Sequence, residues 1–326
     1  MNNPRSVGAR RLLVTGASGL LGLNFAMHTA GHTARQYAGD SRYAVTGVVN
    51  HNELAGVPFS VVQADLARPQ AAAELLERTR PDVVIHCAAL ANLEACEAQP
   101  ELAWRLNGVV PGELAAAAAQ AGIKLVHIST DAVFDGQHGD YREDDTPNPL
   151  GVYARSKLAG EEAVAQANPQ AIIARVNFYG WSLNGTRSLA EFFYRNLSAG
   201  KNVKGFTDIF FCPLLVNHLA GLLLKMVEKD LKGLYHVVSA EHLSKYEFGC
   251  RIARMFNLDE KLIAPTSWKA GGLQAPRSPD LTMNTGKLAR DLGISLPDQQ
   301  AGLQRFRELF DSGYAQQISL FRRLVA

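Results

Sequence analysis

Cysteine is scarce in this chain: four in 326 residues, at Cys87, Cys96, Cys212 and Cys250, with no CxxC pair and no histidine at ligand spacing. That excludes a disulfide framework and a zinc site, so no metal is expected, and it predicts reduced thiols in a cytoplasmic protein. Long apolar runs are also missing. None reaches the roughly 18 to 20 residues that span a bilayer. The stretch "LLVTGASGLLGLNFAMHTA" after Arg10 and Arg11 copies a secretion signal superficially, but Gly, Ser, Thr and Asn interrupt it. An excess of one charge is lacking too. A formal net charge of +2 gives no nucleic-acid track and no membrane-binding face, which leaves a small-molecule ligand as the simpler expectation. There is no internal repeat, and the alanine run at 115 to 119 is ordinary helix-forming sequence.

What is present is an alternation of short apolar runs with helix-like segments. "RLLVT", "YAVTGVV", "FSVVQ", "DVVIHCA", "KLVHIST" and "QAIIARV" read as strands, separated by segments such as "PQAAAELLERT" and "YARSKLAGEEAVAQA". The strands are continuously apolar rather than alternating, which predicts a parallel sheet covered by helices on both faces. The fold class is therefore α/β, a doubly wound parallel sheet. After about Val176 the rhythm loosens, with aromatic and Pro-containing segments between helices. Residues 1 to 176 are expected to form a dinucleotide-binding domain. Residues 177 to 326 then form a smaller substrate-binding region closing over the carboxyl edge of the sheet, with the chain crossing between the two.

"TGASGLLG" places Gly16, Gly19 and Gly22 at the first strand-to-helix turn, with Ser18, Leu20 and Leu21 between them. A pyrophosphate needs a tight turn, a bare backbone and a free helix N-terminus, and this spacing supplies all three. The second strand ends in "VVNHN", where Asn50 and His51 offer no carboxylate to repel a 2′-phosphate. That leans toward NADP(H), with NAD(H) left open. Asp65 and Leu66 follow the third strand and are placed to flank adenine, and Ala88 and Ala89 leave room for cofactor after the fourth.

"GVYARSKLAGEE" puts Tyr153 one helical turn before Lys157. Taken alone this is equally a solvated i,i+4 pair. Context changes the weighing, because Thr130 ends the strand in "HISTDAVFDG" upstream, and a parallel sheet brings that strand end beside the helix start. Reduction of a ketone needs a proton for the developing alkoxide. An ordinary phenol, with a pKa near 10, is sluggish at neutral pH unless a neighbouring ammonium stabilises its ionised form. Thr130 is suited to hold the carbonyl oxygen.

With these residues in order, the sequence resembles the extended short-chain dehydrogenases/reductases, and within them the dTDP-4-dehydrorhamnose reductase group of sugar-nucleotide reductases. The matching stretches are "TGASGLLG", "RPDVVIHCAA", "STDAVFDG", "YREDDTPNPLGVYARSKLAGE", "GLYHVVS" and "PRSPDLTMNTGKL". The resemblance implies Thr130, Tyr153 and Lys157 as the catalytic trio, with a nucleotide-linked sugar as substrate. It also implies Gly16, Gly19, Leu20, Leu21 and Gly22 at the pyrophosphate, Asp65 and Leu66 near adenine, and Arg277 near a substrate diphosphate. Family members often pair through the helices represented here by residues 99 to 121 and 151 to 167, so a homodimer is expected. Where those reductases commonly carry "RTSWVYG", this chain has "RVNFYGW" at 175 to 181, and Phe178 is the candidate wall for the sugar. Ala132 stands where related dehydratases carry a carboxylate, which argues against dehydration. Epimerisation uses the same trio and stays open. Asp131 has two readings, a substrate contact or a turn-forming carboxylate. The resemblance extends to the regulatory subunit of methionine adenosyltransferase, so a cofactor-binding subunit without catalysis is the alternative from another class. His86 and His127 are expected to be satisfied core residues, and Asn107 to bond backbone or water near the site.

Overall fold

A computed structural model describes residues 9–31, 43–270 and 278–322. In chain order the first half runs β1 (Arg10–Thr15), α1 (Leu20–Thr29), β2 (Tyr43–Val49), β3 (Ser60–Gln63), α2 (Ala71–Thr79), β4 (Val83–His86), α3 (Leu93–Ala98) and α4 (Pro100–Ala103). A π-helical turn over Trp104–Val109 then leads into α5 (Val110–Gln120), β5 (Lys124–Thr130), α6 (Val152–Ala167) and β6 (Ile172–Val176). The second half holds β7 (Phe178–Tyr179), α7 (Leu189–Ser198), β8 (Val203–Phe206), β9 (Phe210–Phe211), β10 (Leu214–Leu215), α8 (Val216–Glu228), β11 (Gly233–Val237) and β12 (Leu243–Ser244). It closes with α9 (Lys245–Met255), β13 (Ile263–Thr266), α10 (Gly286–Leu292), α11 (Gln299–Asp311) and α12 (Tyr314–Ser319).

Seven strands form one parallel sheet in the order β11-β6-β5-β4-β1-β2-β3. Strands β4 and β6 are buried along their whole length, as continuous apolar sequence demands when helices cover both faces. Leu21, Phe25 and Ala26 of α1 pack with α8 on one face, around Val14, Ile85 and Val126. On the other, α2, α5 and Val164 of α6 cover Leu13, Val84 and Leu125. Strand β11 lies past residue 176 yet completes this sheet beside β6, with α8 as its crossover helix. The order reverses between β1 and β4, and ligands of such sheets bind at the carboxyl edge of that reversal.

The remaining helices α7, α9, α11 and α12 gather around a second aromatic core, where Trp181 stacks on Phe306 at 4.1 Å and donates from Nε1 to its carbonyl. Helices α7 and α9 both open with a capping box, Ser188 with Glu191 and Ser244 with Glu247. Each reciprocal cap satisfies N–H groups that the first turn leaves unpaired, a contribution of about 1 kcal/mol. No helix among the described residues is long and apolar enough to cross a membrane.

Candidate active site

Parallel register lines up the strand ends. Thr15 faces Val48 on one side and His86 on the other, His86 faces His127, and Thr130 faces Val176. The predicted residues of the glycine loop, the β4 end and the Thr130 region therefore share one edge of the sheet.

At the first turn, Gly16 has φ +67° and comes so close to the next strand that a Cβ there would lie 2.9 Å from the Ala88 backbone. A Cβ on Gly22 would lie 2.3 Å from the Gly16 carbonyl oxygen. Both positions thus require glycine, one for its conformation and both for space. Gly19 caps α1 without any side-chain hydrogen bond, and the first turn carries no acidic residue. An anion is what such an uncapped positive helix end accommodates. Ser18 is half-buried in the same turn, while the Leu21 side chain points into the core and leaves its backbone to the turn. Ala88 donates its N–H to Thr15 Oγ1 at 3.1 Å, which fixes the gap beside Gly16, and Ala89 is exposed just beyond. Asn50 and Asp65 meet at the tips of β2 and β3, Nδ2 to Oδ1 at 3.5 Å. The Leu66 side chain packs under α2 and α5, so its backbone rather than its side chain borders the edge. The loop, the gap and the free helix end fit a dinucleotide.

Helix α6 brings the tyrosine and lysine to the same edge. Its cap, Gly151, makes no side-chain bond, and Glu97 from α3 takes over that task by accepting the Val152 N–H at 2.8 Å. Tyr153 in the first turn lies beside the Thr130 hydroxyl. Burial pushes its phenol up to about 12, against a lowering effect of Thr130, and the nearby Asp131 raises it further. Where the sequence reading gives Lys157 the task of acidifying the phenol, burial dominates instead. Lys157 is buried, its ammonium donates to the Ile128 carbonyl at 2.5 Å, and burial pulls its pKa down to about 8 while Glu161 opposes that fall.

Thr130 donates to Asp131 Oδ1 at 3.1 Å and accepts the Ala132 N–H at 3.2 Å. The other carboxylate oxygen of Asp131 accepts from Asn177 Nδ2, and burial raises the Asp131 pKa. Asp131 is 5% exposed and sits in the short helical turn after β5. Phe178 is half-buried against the core in a two-residue pairing with Leu214. Arg277 lies outside the described residues; its neighbours Ser278 to Met283 run along the loop after β5, with Ser278 Oγ donating to the Phe134 carbonyl. Asn107 bonds the Leu90 backbone twice, at 2.9 Å each, and donates to Ser156 Oγ.

The histidines depart from the expectation. His86 Nδ1 pairs with Thr15 Oγ1 at 2.8 Å, but neither nitrogen of His127 finds a partner among the described residues. The two rings stack 5.4 Å apart, which packs their faces without serving their nitrogens. Sequence reasoning passed over Asn177, Glu161, Ser129 and Arg175. Glu161 alone left a signal, an acidic residue one turn beyond Lys157 and on the same side of α6. All four cysteines are unpaired, and among the described residues no group of three or more His, Cys, Asp or Glu could hold a metal ion.

The family model described as the RmlD substrate binding domain matches residues 10–311. A probable low-salt glycan biosynthesis reductase of Haloferax volcanii is 33% identical over 301 residues, which cover 91% of this chain and 97% of that protein. Methionine adenosyltransferase 2 subunit beta of Xenopus tropicalis is 32% identical over 85% of this chain and 81% of its own. Among solved structures, dTDP-4-dehydrorhamnose reductase from Bacillus anthracis in complex with NADP superposes with a TM-score of 0.76 at 25% identity, covering 91% of this chain and 98% of that one.

Proposed function

From the premise that the chain belongs to the RmlD substrate binding domain family, we propose that it is an NADP(H)- or NAD(H)-dependent reductase of a nucleotide-linked 4-keto sugar. The observation that carries this reading is the convergence of Thr130, Tyr153 and Lys157 on the sheet edge that also holds the glycine turn. A bound reduced nicotinamide supplies the hydride. The Tyr153 phenol, held protonated through the neutral range by burial, gives its proton to the oxygen that becomes the alcohol. Thr130 helps hold that oxygen, and Lys157 offers its ammonium to the cofactor ribose and to the phenolate left behind. Asn50 and the exposed Asp65 border the adenosine end, and Asp131, Phe178 and Arg277 are the candidates on the sugar side. Pairing of two copies through α5 and α6 accords with Trp104, Val109 and Leu150, large apolar residues that stand exposed there.

Mixing the enzyme with NADPH or NADH and a panel of keto-sugar nucleotides, while following loss of the reduced nicotinamide absorbance, tests the reading. Turnover is expected with at least one sugar, and absence of turnover across the panel overturns it. The similarity to methionine adenosyltransferase 2 subunit beta favours a second reading, a cofactor-binding regulatory subunit. Tyr153→Phe separates the two: normal cofactor binding with more than about 10²-fold loss in rate is expected of a reductase. Co-purification with a partner enzyme that is indifferent to the substitution belongs to the subunit.

A further inference from the structure

The segment after β4 borders the gap beside the glycine turn and also holds α6. Ala88 donates its N–H to Thr15 and lies against Gly16, and Leu90 follows two residues later. Asn107 grips Leu90 at both its N–H and its carbonyl, 2.9 Å each, and donates its remaining amide hydrogen to Ser156 Oγ at 3.1 Å. Ser156 in turn donates to the Tyr153 carbonyl at 2.9 Å. The carbonyl side of Tyr153 is therefore tied to the wall of the gap through two fully buried side chains, Asn107 and Ser156.

On the N–H side the tie runs through Glu97. Helix α6 opens at Gly151 with no side-chain cap and no acidic residue in its first turn, so its unpaired N–H groups and positive end depend on a group from outside. Glu97 Oε1 accepts the Val152 N–H at 2.8 Å. That carboxylate stands on a fixed base. Asn92 caps α3 by accepting the Ala95 N–H at 2.8 Å, and the buried Cys96 thiol donates to the Leu90 carbonyl at 3.2 Å. Both ends of the first turn of α6 thus lead back to Leu90, and removal of Glu97 leaves the anchor at Ser156 to hold that turn. We propose that Glu97 is a positioning residue for the proton donor: it caps α6 from another helix and so keeps Tyr153 in register with the cofactor that the segment after β4 borders. Its task is placement, beyond the stability that any cap confers. The proposal rests on the reductase reading for its catalytic meaning.

Two variants separate placement from capping. In the full-length protein with ring-¹³C-labelled tyrosine, the Tyr153 resonance, identified by its loss in Tyr153→Phe, is expected to shift when NADPH is added, or NADH if that binds more tightly. In Glu97→Ala the shift falls to about half or less at nearly unchanged cofactor affinity, and kcat drops about tenfold at unchanged KM for the sugar, since small misplacements of a reacting group are costly. Glu97→Gln keeps an acceptor oxygen and is expected to recover most of both. Gly151→Ser, added to Glu97→Ala, supplies a cap from α6 itself. Gly151 is extended, at φ −119° and ψ 175°, and a Cβ there would lie 3.0 Å from Glu97 Oε1, a space that the alanine clears. This local cap is expected to restore the urea midpoint but neither the Tyr153 shift nor kcat, because it remakes no link to α3. Recovery of the Tyr153 shift by the local cap overturns the proposal, as does a parent-like shift in Glu97→Ala. A Tyr153 resonance indifferent to cofactor in the parent overturns it together with the reading of the site. A shift that depends on Glu97 in a protein that turns over no keto sugar upholds the proposal and sinks the reductase reading alone.

Discussion

Thr130 holds two hydrogen bonds with one hydroxyl, donating to Asp131 and accepting the Ala132 N–H. The neighbouring carboxylate gives that hydroxyl its direction, and Asn177 in turn fixes the carboxylate. Thr130→Val keeps the shape of the side chain and removes the hydroxyl. Loss of such a donor at a reacting oxygen costs roughly 10²-fold in rate, so single-turnover hydride transfer is expected to slow by about that factor while Thr130→Ser stays within a few-fold. An equal rate in Thr130→Val would remove Thr130 from the chemistry. The threonine was legible in the sequence because a strand end upstream of a YxxxK helix is a local pattern. Asn177 was not, because it lies 46 residues beyond Asp131 and meets it only when β5 and β6 pair.

At the scale of elements, α6 owes its position to the absence of side chains. A Cβ on Gly160 would lie 2.1 Å from the Asn107 carbonyl oxygen, and one on Gly112 would lie 2.8 Å from the Ala163 side chain. The segment facing Gly160 is the π-helical turn Trp104–Val109, which sequence periodicity reads as part of one uninterrupted helix. Pro111 sits at the start of α5 and offers no N–H, which loosens the ladder there, and the inward fit of α6 uses the widened turn. Gly160→Ala is expected to destabilise the fold by about 1–3 kcal/mol through overpacking. It should also lower kcat, because Tyr153 and Lys157 ride on the displaced helix. Urea unfolding and steady-state kinetics measure the two effects, and a variant as stable and active as the parent would show that α6 is free to shift.

For the whole molecule, buried imidazoles set the acid limit. His86, His127 and His236 are at most 1% exposed, and burial brings His86 and His236 down to about 3 and His127 well below its usual value. The unfolded chain protonates them near pH 6.5 while the folded chain leaves them neutral. Their contribution is therefore intact above pH 6.5 and lost as pH falls toward 3. At pH 5 His86 and His236 each cost about 2 kcal/mol, a large share of the roughly 5–15 kcal/mol that holds a typical protein folded, and His127 acts in the same direction. Urea midpoints are expected to drop steeply between pH 6.5 and pH 5, with a shallower fall in His127→Gln; a flat profile would contradict it. The sequence by itself determined the parallel sheet, the glycine turn and the Tyr153 and Lys157 spacing, since each is written in runs and intervals that a few consecutive residues contain. Tertiary structure alone decided that burial raises the phenol, that Leu66 turns into the core, and that Glu161 meets Arg175 and Ser129. The reason is physical: the energy of a charge or a polar atom depends on what surrounds it, and its surroundings come from strands and helices far apart in the chain.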